Sequence, residues 1–125
     1  MRLKTSLTLA AAALVASAGS IASAGALGNL SLETVVTGLS RPVHMVPHPT
    51  EDAFVIVEQG GTIRIVQNGA ITGAFLTVAV GSSSGERGLF SIAFDPDFEK
   101  TGRFWVNHTN ASGATVIARY TVDEN

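Results

Sequence analysis

Three histidines, ten acidic side chains and no cysteine are the raw material for chemistry in this chain of 125 residues. His44 and His48 stand four apart, the spacing at which two imidazoles on one helix face can hold a metal ion. Pro47 and Pro49 bracket the second of them. Proline in a helix interior removes a backbone donor and clashes with the preceding turn, so both read as loop or edge-strand histidines. His108 closes an apolar run, between Asn107 and Thr109, and reads as hydrogen-bonded structure rather than a base. Asp95-Pro-Asp97 lacks the glycine and terminal glutamate of a calcium loop and reads as a turn. No serine stands in a Gly-x-Ser-x-Gly setting. No helix is expected after Gly60, Gly61, Gly85 or Gly88, so these are turn formers and not a phosphate cradle. Without cysteine there is neither a disulfide framework nor a thiolate metal site.

Composition narrows the class further. Hydrophobic residues make up 46% and charged residues 14%, with a formal net charge of −2. That is too apolar and too weakly charged for intrinsic disorder. The absence of Lys/Arg clusters argues against nucleic-acid binding.

The N-terminus reads as an address. Met1-Arg-Leu-Lys4 is basic, Leu7–Ala18 is almost wholly apolar, and Ala22-Ser-Ala24 precedes Gly25. A basic start, a short apolar run and an A-x-A site make a secretory signal peptide. The run is too short for a span of ~20 residues. Cleavage is expected after Ala24, leaving residues 25–125 secreted or periplasmic, more acidic for the loss of Arg2 and Lys4, and free of the membrane. The sequons at Asn29, Asn107 and Asn110 matter only in a host that glycosylates them.

The elements that must position any site read as strands. β-branched and aromatic runs alternate with Gly-rich breaks, and none keeps a helical period. Strands are expected at Leu32–Thr37, Ala53–Val57, Thr62–Val66, Ala74–Val80, Leu89–Phe94, Arg103–Val106 and Thr115–Val122. Ala53–Val57 is continuously apolar, as in a strand covered on both faces. Asn68-Gly69 is a hairpin turn, because both residues tolerate positive φ. Phe90, Ile92 and Phe94 are expected on one face of their strand, and Val116, Ala118, Tyr120 and Val122 on one face of theirs. About seven strands suit a closed sandwich. At ~40–45 residues per blade, residues 25–125 also suit about two blades of a propeller.

Three segments, taken together, resemble the start of the glucose/sorbosone dehydrogenase family. They are Gly38-Leu-Ser-Arg-Pro42 followed by His48-Pro49, then Val57-Glu-Gln-Gly-Gly61-Thr-Ile-Arg-Ile-Val-Gln-Asn-Gly69, then Gly85-Glu-Arg-Gly-Leu-Phe-Ser-Ile-Ala-Phe-Asp-Pro-Asp-Phe98. Phe104-Trp105-Val106 and Ala118-Arg119-Tyr120 continue the pattern. Phe90-Ser91 replaces the family's Leu-Gly, and Asp95 its His before proline.

The resemblance implies an all-β fold: a six-bladed β-propeller of which this chain holds about the first two blades after the signal peptide. It implies hydride transfer from a sugar or polyol to pyrroloquinoline quinone (PQQ), with calcium polarising the quinone. The catalytic histidine and the cofactor and calcium ligands are expected beyond Asn125. One position carries over: the acidic or amide residue after the first glycine of the third segment lies at the substrate mouth, here Glu86. Its competing readings are an ion pair with Arg87 or Arg64, or a solvated loop residue. The alternative functions are a non-catalytic extracellular propeller binding glycan or protein ligands, and a complete β-sandwich adhesion module.

Overall fold

The computed structural model describes residues 30–81 and 85–122. The chain divides after Leu32, and every strand belongs to the unit that begins at Glu33. The expected leader and its cleavage site lie outside the described residues.

Among the described residues, seven strands and one helical turn form two antiparallel meanders. The first sheet runs β1 (Pro42–Pro47), β2 (Phe54–Glu58), β3 (Thr62–Gln67) and β4 (Ala70–Thr77) in sequence order. The second runs β5 (Leu89–Phe94), β6 (Arg103–Thr109) and β7 (Thr115–Thr121), with α1 (Phe98–Thr101) between β5 and β6. β5 packs against β1 and β2, so the two sheets meet through their first strands. Val55, Val57, Ile63, Leu89, Phe104 and Val106 form the buried interior between them.

Local sequence explains most of this. Val55, Ile56 and Val57 are all buried, as expected of a strand covered on both faces, but Phe54 at its start is exposed. The β3–β4 hairpin closes on Asn68 and Gly69 with φ of 52° and 76°, the twist that matches paired strands. On β7, Val116, Ala118 and Tyr120 are half-buried and alternate with exposed neighbours. Val122 lies just beyond the strand and is exposed.

Three expectations are corrected. Leu32–Thr37 forms no strand; the first strand is Pro42–Pro47. β propensity there finds no ladder, and Glu33–Val36 instead line a groove with Met45, Phe54 and Ile56. β4 begins at Ala70 rather than Ala74, because the tight turn at Asn68-Gly69 starts pairing at once: Gln67 faces Ala70. On β5 a register shift between Leu89 and Ser91 sets Phe90 out of the alternation. Leu89, Ile92 and Phe94 therefore share the core face, opposite His108, Val106 and Phe104.

The turn at Asp95-Pro-Asp97 is as expected, and the helical turn α1 extends it. The Asp95 carboxylate accepts the Asp97 N–H at 2.9 Å and pairs with Arg103 at 3.1 Å. Gly102 ends α1 with φ of 59°. Among the described residues no helix is long and apolar enough to cross a membrane.

Candidate functional site

Four loops meet at the end of the sheets where β1 and β5 begin. They are Ser40–Arg41, the β2–β3 turn at Gln59–Gly61, the segment Gly85–Gly88, and the β6–β7 loop Asn110–Ala114. Backbone hydrogen bonds tie them: Gln59 N–H to the Arg41 carbonyl at 3.0 Å, Leu89 N–H to the Gln59 carbonyl at 2.9 Å, and Thr109 N–H to the Gly88 carbonyl at 2.9 Å.

Side chains complete the lacing. The Gln59 carboxamide donates to the carbonyls of Gly85 at 2.8 Å and Arg87 at 2.9 Å. The Thr109 hydroxyl accepts the Gly88 N–H at 2.8 Å. Asn110 Oδ1 accepts the backbone N–H groups of Ser112 and Ala114 and closes its own loop. Gly88 has φ of 132°, and a Cβ there would overlap the Gln59 carbonyl. Only glycine fits so close an approach at that φ.

Glu58 anchors the first of these loops. It is 4% exposed. Its Oε1 accepts the Ser40 N–H at 2.7 Å and its Oε2 accepts Arg64 Nε at 2.9 Å. A buried carboxylate is tolerated where its oxygens are paired and hydrogen-bonded. Arg41, next along, has φ of 49°. That is uncommon for a non-glycine residue and more so before proline, whose ring favours an extended predecessor. The bonds at Ser40 and at the Arg41 carbonyl hold it there.

Glu86 sits on the Gly85–Gly88 loop and is exposed. Of its competing readings, the pair with Arg64 does not form among the described residues; Arg64 pairs with Glu58 instead. Among the described residues no ion pair forms between Glu86 and Arg87 either. Its carboxylate is left for solvent or a ligand, and in the ionised form it is an acceptor only.

The histidines are dispersed. His44 stands on the edge strand β1, and its Nδ1 faces the Ile92 N–H of β5 at 3.4 Å. His48 is buried, edge-on to Phe75, Phe94 and Phe98 at centroid separations of 5.9, 5.6 and 5.9 Å. The loop reading of His48 holds, but its aromatic cage was not legible in the sequence. His108 is 7% exposed and its Nδ1 has no partner. The hydrogen-bonded role expected of it is thus not seen at that nitrogen, because the ring lies on the apolar core face with Leu89 and Val116.

Sequence reasoning missed Gln59, Glu58 and Thr109 as organisers of the loops. The partners that tie them to other loops lie 18 to 28 residues away, while Arg64, the second partner of Glu58, is six residues on; the turn signal Gln59-Gly60-Gly61 marks none of these bonds. Two concavities, of about 660 and 480 Å³, lie elsewhere, toward the other end of the strands, around His48 and Phe98 and around Met45 and Phe54. Among the described residues no group of three or more His, Cys, Asp or Glu could hold a metal ion. Arg64 and Arg103 are committed to Glu58 and Asp95.

Comparison with known proteins adds the wider context. Residues 39–125 match the family model described as Glucose / Sorbosone dehydrogenase. The structure is similar to the PQQ-bound form of an aldose sugar dehydrogenase from Streptomyces coelicolor, with 33% identity and a TM-score of 0.63, over 74% of this chain and 28% of that one. It is also similar to a putative oxidoreductase (glucose dehydrogenase) from Thermus thermophilus, with 26% identity and a TM-score of 0.62, over 73% of this chain and 28% of that one. The apo-form of a soluble aldose sugar dehydrogenase from Escherichia coli shares the fold at 24% identity and a TM-score of 0.53, over 70% of this chain and 26% of that one. Among curated proteins there is no significant match. The chain therefore spans little more than a quarter of the length of the solved structures it resembles. Its two meanders are two blades of a β-propeller, and the chain belongs to the glucose/sorbosone dehydrogenase family.

Proposed function

We propose that the full-length protein is an exported quinone-dependent dehydrogenase of sugars or related polyols. In this reading the leader is removed after Ala24 and residues 25–125 supply the opening blades. PQQ, held together with calcium by other parts of the ring, would supply the acceptor for hydride from a sugar hydroxyl carbon. The cofactor supplies the redox step, and the protein supplies binding and orientation. Taken alone, residues 25–125 are inactive, because a propeller site is assembled around the axis by several blades.

The observation that carries the reading is the family match over residues 39–125, together with 33% identity to a PQQ-bound aldose sugar dehydrogenase. Within this chain the sugar contact assigned is Glu86, a solvent-facing carboxylate on a loop laced to its neighbours. An ionised carboxylate is an acceptor-only group, which suits the hydroxyl donors of a sugar.

Glu86→Ala in the full-length protein is expected to raise the KM for the sugar about tenfold, the loss of one charge-assisted hydrogen bond. Quinone affinity is expected to be unchanged. Steady-state dye reduction at varied aldose concentration measures the first, and a quinone titration the second. An unchanged KM would remove Glu86 from the site. No turnover with any aldose despite quinone binding would favour a ligand-binding propeller over an enzyme.

A further inference from the structure

We propose that Gln59 is the positioning residue that holds Glu86 at the substrate mouth. The inference deepens the proposed function and rests on its reading of Glu86 as a sugar contact. Gln59 lies on the β2–β3 turn of the first sheet; Glu86 belongs to the loop that leads into the second. One carboxamide nitrogen has two hydrogens. In this structure both have acceptors, the Gly85 carbonyl at 2.8 Å and the Arg87 carbonyl at 2.9 Å. Those carbonyls belong to the residues on either side of Glu86, so the bracket pins the backbone on both flanks of the carboxylate.

Two further features converge on the same residue. The Gln59 backbone joins the lacing at both ends, donating N–H to the Arg41 carbonyl and accepting the Leu89 N–H. Gly88 leaves room for its stem: a Cβ at position 88 would stand 2.8 Å from Gln59 Cγ. The loop is thus seated on Gln59 through both its backbone and its side chain. A loop fixed in this way presents its carboxylate with the ordering already done, and such preorganisation improves binding without new contacts.

The test uses the full-length protein and three variants. Gln59→Glu keeps the shape and sets a carboxylate oxygen against two carbonyls. Gln59→Lys restores donors to the same acceptors. Glu86→Ala removes the supported group. Hydrogen exchange of peptides covering residues 85–89 reads the loop, and the split between KM and kcat reads the site. Gln59→Glu is expected to speed exchange across these residues and to raise the sugar KM about tenfold, with kcat within about twofold, as loss of ground-state and transition-state binding alike. Gln59→Lys is expected to return both toward the parent. Unchanged exchange in Gln59→Glu would overturn the proposal whatever the KM. So would faster exchange with an unchanged KM while Glu86→Ala raises it. If Glu86→Ala leaves the KM unchanged, the sugar reading of Glu86 fails separately, and the exchange data still decide whether Gln59 holds the loop.

Discussion

Glu58 and Gly88 show how individual residues hold the loop end of the molecule. Glu58 spends both carboxylate oxygens on structure, one on the Ser40 N–H and one on Arg64. Glu58→Ala should destabilise the full-length protein by about 2 kcal/mol, since the Ser40 N–H loses its partner. The cost stays below the ~3–5 kcal/mol of a fully buried pair, because the Arg64 side chain is 37% exposed and can turn to water. Thermal denaturation of the variant checks this. Gly88→Ala should cost more than about 1 kcal/mol, from the positive φ alone, and it should also unseat Gln59. A parent-like melting temperature and sugar KM in Gly88→Ala would contradict so close an approach of the two loops. Glu86 was legible as a candidate because it follows a glycine in a family-like segment. Gln59 was not, because its partners are 26 and 28 residues further along the chain.

Among elements, the readable ones carry their own signal. Thr62–Val66 alternates, Asn68-Gly69 turns, and β7 alternates again; each pattern needs only its own residues. The misread elements depend on distant partners. Leu32–Thr37 has strand propensity, but propensity does not make a strand without a neighbour to pair with. At β5 a bulge, which no local pattern announces, exchanges Phe90 for Leu89 on the buried face. The aromatic cluster shows the same dependence on tertiary context. Phe104 stacks on Tyr120 at 5.4 Å and meets Phe75 edge-on at 5.0 Å, joining β4, β6 and β7. Phe104→Ala should therefore cost about 3–5 kcal/mol by cavity formation and loosen both sheets together. A loss under about 1 kcal/mol in a denaturant titration would mean that these rings do not couple the blades.

Across the whole molecule, the two sheets share one interior but leave apolar surface outside it. Ile117 is 65% exposed on the second sheet, and Met45 and Phe54 are 50% and 43% exposed on the first. Exposed sheet faces and edges invite association. Isolated residues 25–125 are accordingly expected to aggregate or melt broadly, whereas the full-length protein should unfold cooperatively. A sharp, reversible melt of monomeric 25–125 would contradict that expectation. Whether the completed ring is an enzyme is decided by dye reduction in the full-length protein supplied with PQQ, calcium and a panel of aldoses. The expected result is turnover that requires the quinone, with a KM about tenfold higher in Glu86→Ala. Quinone binding without turnover of any aldose would contradict it.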